Sequence, residues 1–352
     1  MKNALLLLTF LLSGGQLLAQ IGGDAVYQFL ELPQSARVSA LGGVLITVLD
    51  DDVSLAMSNP AVANAGMHQQ LSFNHNFHLG GIQNGYAAFG WYVPKWDATL
   101  HGGMQYVAYG TFDETDVYGD VIGEFKAADY ALTIGAGKSV YERLSVGANI
   151  RVINSQYANY DSWGLGFDMA AIFHDTASRI NVSLVARNAG WQLNTYTADN
   201  REPMPFDLQL GISKQLAHLP FRFSVVYHHL DQWNILYDDP NQVEDFLFFG
   251  EEPTKSGNPA IDNLFRHFIF SGEFLLGAKE NLHLRVGYDH QRKKELSVNN
   301  YRSLAGFSLG LGMKISKFRI DYGHAFYHLA GGINHVSIST NLRAFGTKRI
   351  LE

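Results

Sequence analysis

Fourteen histidines in a chain of 352 residues make metal binding the first chemistry to consider. Their spacing argues against it. His228-His229 are neighbours in a stretch that reads as a strand, and successive strand residues point to opposite faces. His75 and His78 have opposite parity as well. His324 and His328 share a parity and, with His335, stand near one rim of a sheet, but no convergent further ligand accompanies them, so solvated histidines and no metal are expected. Nucleophilic chemistry fares no better. Ser-x-x-Lys is missing, and Lys255-Ser256-Gly257 overlaps Ser256-Gly257-Asn258, whereas the penicillin-binding signatures they mimic occupy separate elements. Gly80-Gly81, Gly102-Gly103 and Gly331-Gly332 fall in strands or turns and not between a strand and a helix, so no phosphate cradle is implied. The expectation is a chain without catalytic residues, metal or cofactor. A barrel hydrolase using a rim Ser and His is the enzymatic alternative.

The elements that carry these residues point to a membrane. Residues 1–19 have the layout of a signal peptide: Lys2, an apolar run from Ala4 to Leu12, and a cleavage position after Ala19. Beyond them no apolar run is long enough for a spanning helix. Zero cysteines exclude disulfide staples, and charged residues at 17% are scarce for a soluble surface of this size. A net charge of −7 argues against a nucleic-acid partner. From Leu71 onward the chain alternates. Trp163, Leu165, Phe167, Met169, Ala171 and Phe173 share one parity, while Gly164, Gly166, Asp168 and Ala170 take the other. His101, Gln105, Arg151, Glu273, His283 and Arg285 sit on the polar parity of their own segments. Both a soluble sandwich and a transmembrane barrel alternate in this way.

Loop lengths separate the two. About 14 strands can be laid out between residues 70 and 345. Connections after even-numbered strands are short, as at Pro94-Lys95-Trp96-Asp97 and Ala278-Lys279-Glu280. Those after odd-numbered strands are often long: 110–128, 188–205, 231–266 and 291–302. This sorting is a signature of outer-membrane barrels, and Trp91, Tyr92, Trp96, Tyr106, Tyr109, Trp163 and Trp191 fall where interfacial girdles would lie. The fold class expected is all-β, a transmembrane antiparallel barrel with both ends in the periplasm and long loops at the cell surface. Residues 20–69 are expected to form a partly helical plug in its lumen, 70–345 the barrel and 346–352 a tail. Within the plug, Asp52 is placed to cap a short helix running through Ser58 and ended by Pro60.

The segment GGDAVYQFLELPQSARVSALGG, from Gly22 to Gly43, resembles the mature N-terminus of the PorQ family, outer-membrane components of the Bacteroidetes type IX secretion system. Asp50-Asp51-Asp52 and Asn59-Pro60-Ala61 resemble the hatch motif of the wider group that includes PorV and FadL. The resemblance implies a FadL-like barrel and a non-enzymatic role. Such barrels anchor a cell-surface attachment complex with PorU, PorV and PorZ, in which a PorZ-like partner presents anionic lipopolysaccharide for cargo attachment. The transport alternative is a FadL-like channel for a hydrophobic small molecule. Asp51, Asp52, Asn59, Pro60 and Ala61 are then the plug motif. In the 231–266 loop Trp233, Tyr237, Phe246, Phe248 and Phe249 stand among acidic residues, the composition of a partner-binding patch.

Overall fold

A computed structural model describes residues 25–198, 200–236, 258–296, 303–328 and 331–345. The expected signal peptide and C-terminal tail lie outside these residues. Fourteen antiparallel strands form one closed barrel, each pairing with its sequence neighbours and the last with the first. They are β1 (Gln70–Phe77), β2 (Gln83–Val93), β3 (Ala98–Thr115), β4 (Val121–Tyr141), β5 (Leu144–Tyr157), β6 (Tyr160–Asp175), β7 (Ile180–Asn194), β8 (Asp207–Gln215), β9 (Phe221–Tyr227), β10 (Phe268–Leu276), β11 (Leu282–Asp289), β12 (Phe307–Ile315), β13 (Phe318–His328) and β14 (Gly331–Asn341). Closure runs from Gln70 opposite Asn341 to Phe77 opposite Asn334, so neither strand offers a free edge. Lipid supplies no hydrogen bonds to the backbone, which makes this closure a requirement in a membrane.

The wall is inside-out relative to a soluble protein. Phe73, Ile134, Ile150, Met169, Leu184, Leu210, Phe274, Leu309 and Ile338 lie exposed on the outer face. Their alternating neighbours Ser72, Thr133, Asn149, Asp168, Ser183, Gln209, Glu273, Ser308 and Ser337 are buried. Period two therefore divides lipid from lumen, as the alternation predicts.

Three departures from the expected layout have physical causes. The 110–128 segment is mostly strand: β3 and β4 continue past the barrel as a hairpin, with Thr111 to Glu114 opposite Lys126 to Gly123 and Phe112 stacked on Phe125 at 5.3 Å. Beyond the membrane neither face must be apolar, so alternation no longer marks the strand. β7 extends to Asn194 through a bulge, its register against β6 shifting between Phe167 and Met169 beside Asn188, whose φ is 55°. The long loops also hold helices. Pro259–Arg266 begins after an Asn258 cap with Pro259 in its first turn, and His290–Glu295 begins after Asp289, which accepts from Arg292 N. We call these α3 and α4, after the plug helices α1 and α2.

The plug fills the lumen ahead of β1. It comprises a 3-10 turn (Gln28–Glu31), α1 (Ala36–Ala40), α2 (Val53–Ala56) and 3-10 turns at Pro60–Val62 and Ala65–Met67. Pieces this short have no independent stability. Val38, Leu41, Leu45, Val53, Leu55, Met57, Val62 and Met67 bury into one cluster that includes Tyr86, Ala88 and Ile172 of the wall. Wall glycines let the plug backbone approach: a β-carbon at Gly287 would collide with Gly42 N, and one at Gly147 with Pro60. The expected helix from Asp52 to Ser58 is shorter. It spans Val53–Ala56, and Pro60 opens the next turn rather than only closing this one.

Gly287→Leu is expected to unseat the plug while the closed sheet survives. Trypsin should then cut the N-terminal segment at Arg37, a buried site, in a barrel that still shows heat-modifiable mobility on electrophoresis. Trypsin resistance equal to that of the parent would show that the seat tolerates the bulk.

Candidate functional site

The contact between plug and wall is the most highly charged buried region of the described chain. Arg37 sits on α1, whose N-cap Ser35 accepts from Val38 N at 3.2 Å, and its side chain is fully buried. A buried guanidinium requires paired carboxylates. Arg37 has Asp50 at 2.7 Å, Asp52 at 3.2 Å and Glu273 of β10 at 3.2 Å. Glu273 also pairs with Arg222 of β9, with Arg285 of β11 at 2.7 Å and with His283 at 3.2 Å. Arg285 continues to Asp321 of β13 at 2.6 Å, and Arg319 meets Asp321 at 3.3 Å. Alternating cations and anions thus bind the plug to strands β9 to β13. Burial alone would raise the Asp50 carboxyl. Arg37, then Arg319 and Arg222, outweigh it and hold that carboxyl well below the usual range.

Across the lumen the wall supplies further hydrogen-bond donors. Asn149 donates to Met57 O at 3.3 Å and to Ala56 O at 3.4 Å, closing the C-terminal end of α2. Arg151 pairs with Asp168 at 2.9 Å and reaches Met57 O at 3.4 Å. Asn59 donates to Ile46 O at 2.5 Å and to Ser183 Oγ at 2.8 Å, while its own oxygen accepts from Ala61 N at 2.9 Å. Asn59-Pro60-Ala61 is therefore a cap plus a turn start pressed onto β4, β5 and β7.

Nearer the rim of long loops the lumen turns apolar. Val26, Tyr27, Phe29 and Leu30 of the plug pack with Val107, Ala131, Ile153 and Met204, flanked by Tyr109 and Tyr196. Val107, Ala131 and Ile153 occupy lumen-facing positions that elsewhere carry polar groups. Two wall donors hold the plug backbone over this patch, Gln105 onto Phe29 O at 3.0 Å and Arg187 onto Leu30 O at 3.2 Å.

The residues singled out in the sequence fall as follows. Asp52 caps α2 through Ser54 N at 3.1 Å and pairs with Arg37. Asp51 is half exposed, 3.9 Å from Arg319. Asn59, Pro60 and Ala61 are buried. Trp233 is 60% exposed and stacks on His267 at 5.9 Å. Tyr237, Phe246, Phe248 and Phe249 lie outside the described residues. The expectation that His228 and His229 face opposite ways is corrected: β9 ends at Tyr227, His229 adopts a φ of 53°, and the two rings lie 4.7 Å apart. The strand rule does not apply after the strand has stopped. His335 is buried against His78, with ring centroids 6.3 Å apart. The Arg37 network has no signal in the sequence pattern. Glu273 and Arg285 were visible as inward charges, but nothing in the sequence pairs either with residue 37.

Arg37→Met should loosen the plug by about 3–5 kcal/mol, because Asp50, Asp52 and Glu273 lose a shared buried cation. Planar-bilayer conductance should rise from near zero, and unchanged conductance would show that other contacts suffice. Since the Asp50 carboxyl is depressed, its contribution is complete at neutral pH. It is lost only as pH falls below the ordinary carboxylate range toward the folded value.

No family model and no curated protein matches this sequence. Solved structures do. The Pseudomonas putida toluene transporter TodX aligns over 88% of this chain and 96% of its own, with a TM-score of 0.50 and 11% identity. The monoaromatic hydrocarbon channel CymD aligns over 88% and 96%, at 0.49 and 15%. A Pseudomonas aeruginosa FadL homologue aligns over 88% and 98%, at 0.47 and 11%. At such identity the likeness to TodX speaks to fold: this chain is a closed, plugged, antiparallel outer-membrane-type barrel of FadL-like architecture.

Proposed function

We propose that this barrel is a plug-gated outer-membrane channel for a small hydrophobic molecule. The observation that carries the reading is the apolar patch beneath the long-loop rim. Lumen positions lined by Val107, Ala131 and Ile153 are covered by Phe29 and Leu30 of the plug itself. An apolar solute arriving from the cell surface competes with those plug side chains for the same surface. Displacement frees a segment otherwise held by two backbone hydrogen bonds. A water-filled pore has no use for such a patch. The fold shared with a toluene transporter supports the same class of cargo. In this reading the short turns and both barrel ends are periplasmic.

A second reading, the surface anchor of a type IX attachment complex, is favoured by the β3–β4 hairpin. Its tip presents Val117, Tyr118, Val121 and Ile122, the first two 93% and 87% exposed. Such a tip suits a partner of the PorZ kind, with PorU and PorV near lipopolysaccharide, and the Gly22–Gly43 segment supports the same family.

The two readings separate in cells lacking their own hydrocarbon channel. With a monoaromatic hydrocarbon as probe, the parent barrel should raise uptake several-fold, and Ile153→Asp should return it to background. Uptake no better than with an empty vector rejects the channel. Loss of surface cargo on deleting residues 111–126 would establish the anchor.

A further inference from the structure

A site unrelated to the plug network stands at the long-loop rim, where β8 begins and β9 ends. Asp207 is the first residue of β8, and His228 and His229 directly follow β9. One ligand atom from each of the three lies within 4.8 Å of the other two, and His229 Nδ1 is 3.6 Å from Asp207 Oδ1. Asp207 and His228 are buried, and His229 is partly open to solvent. The left-handed backbone at His229 is what turns its ring toward that of His228.

The surroundings orient these groups as ligands. The Arg266 carbonyl can only accept, so His228 donates Nε2–H to it across 3.1 Å. That hydrogen bond fixes the tautomer and leaves the lone pair on Nδ1. A carbonyl that accepts from the far ring nitrogen is a usual partner of a metal-bound imidazole. Asp207 is held from both sides: Gln209 donates to Oδ2 at 2.5 Å, and the His229 backbone N–H donates to Oδ1 at 2.7 Å. We propose that Asp207, His228 and His229 bind a divalent transition-metal ion of the zinc class. Two imidazoles select against calcium and magnesium, which prefer all-oxygen sets. Three protein ligands leave a fourth position for water. A metal there would tie the start of β8 to the chain leaving β9.

The test uses the full chain in detergent, stripped with chelator and titrated with Zn²⁺ by calorimetry. Co²⁺ serves as an optical probe, because its visible bands report coordination by nitrogen. The parent should bind one Zn²⁺ saturably. Loss of an outer-shell partner costs about 10–100-fold in affinity, so His229→Gln and Asp207→Asn, each losing a ligand, should cost at least 100-fold. His218→Gln, an exposed histidine on the short-turn rim, should bind as the parent does. Heat-modifiable mobility shows that each variant is folded. Absence of saturable Zn²⁺ binding by the parent, or parental affinity and Co²⁺ bands in folded His229→Gln and Asp207→Asn, overturns the site.

Discussion

Pairing of β1 with β14 is the contact on which everything else depends. With it, every strand has two neighbours and no backbone group need face hydrocarbon unpaired. A closed wall of fourteen strands then creates the next problem. Its inward positions enclose a lumen that their own side chains do not fill. The plug answers that problem, and the buried charges answer the plug: a segment seated in a polar lumen must satisfy what it covers. Arg37 between Asp50, Asp52 and Glu273 is therefore a consequence of closure as much as of local sequence.

Polar and apolar contacts divide the plug between two tasks. Ion pairs and capping hydrogen bonds fix direction and distance, so the region around Arg37, Asn59 and Asn149 has one arrangement. Apolar contact at Phe29, Leu30 and Ile153 is non-directional, and another apolar body can replace it. A plug held rigidly near one rim and exchangeably near the other is suited to local opening without leaving the barrel.

Much of this was legible in the sequence. Period two fixed which residues face lipid, and the alternation of short and long connections distinguished a barrel from a sandwich. Asp52 and Asn59 advertised their capping roles through residue type and position. What could not be read belongs to long-range pairing or to places where periodicity ends. Arg37 and Glu273 are separated by 236 residues, and no local rule joins them. The β3–β4 extension left the membrane and lost its alternation. His228 and His229 escape the strand rule because β9 stops at Tyr227 and His229 takes a positive φ.

The plug helices have a kinetic meaning. α1 and α2 are five and four residues long, too short to persist in water, yet they precede the strands in the chain. The plug therefore leads the barrel in the chain, while the surface that shapes it is complete only once β14 has met β1. Folding must run against the order of synthesis. The last strand pairing casts the mould, and the segment ahead of β1 sets inside it.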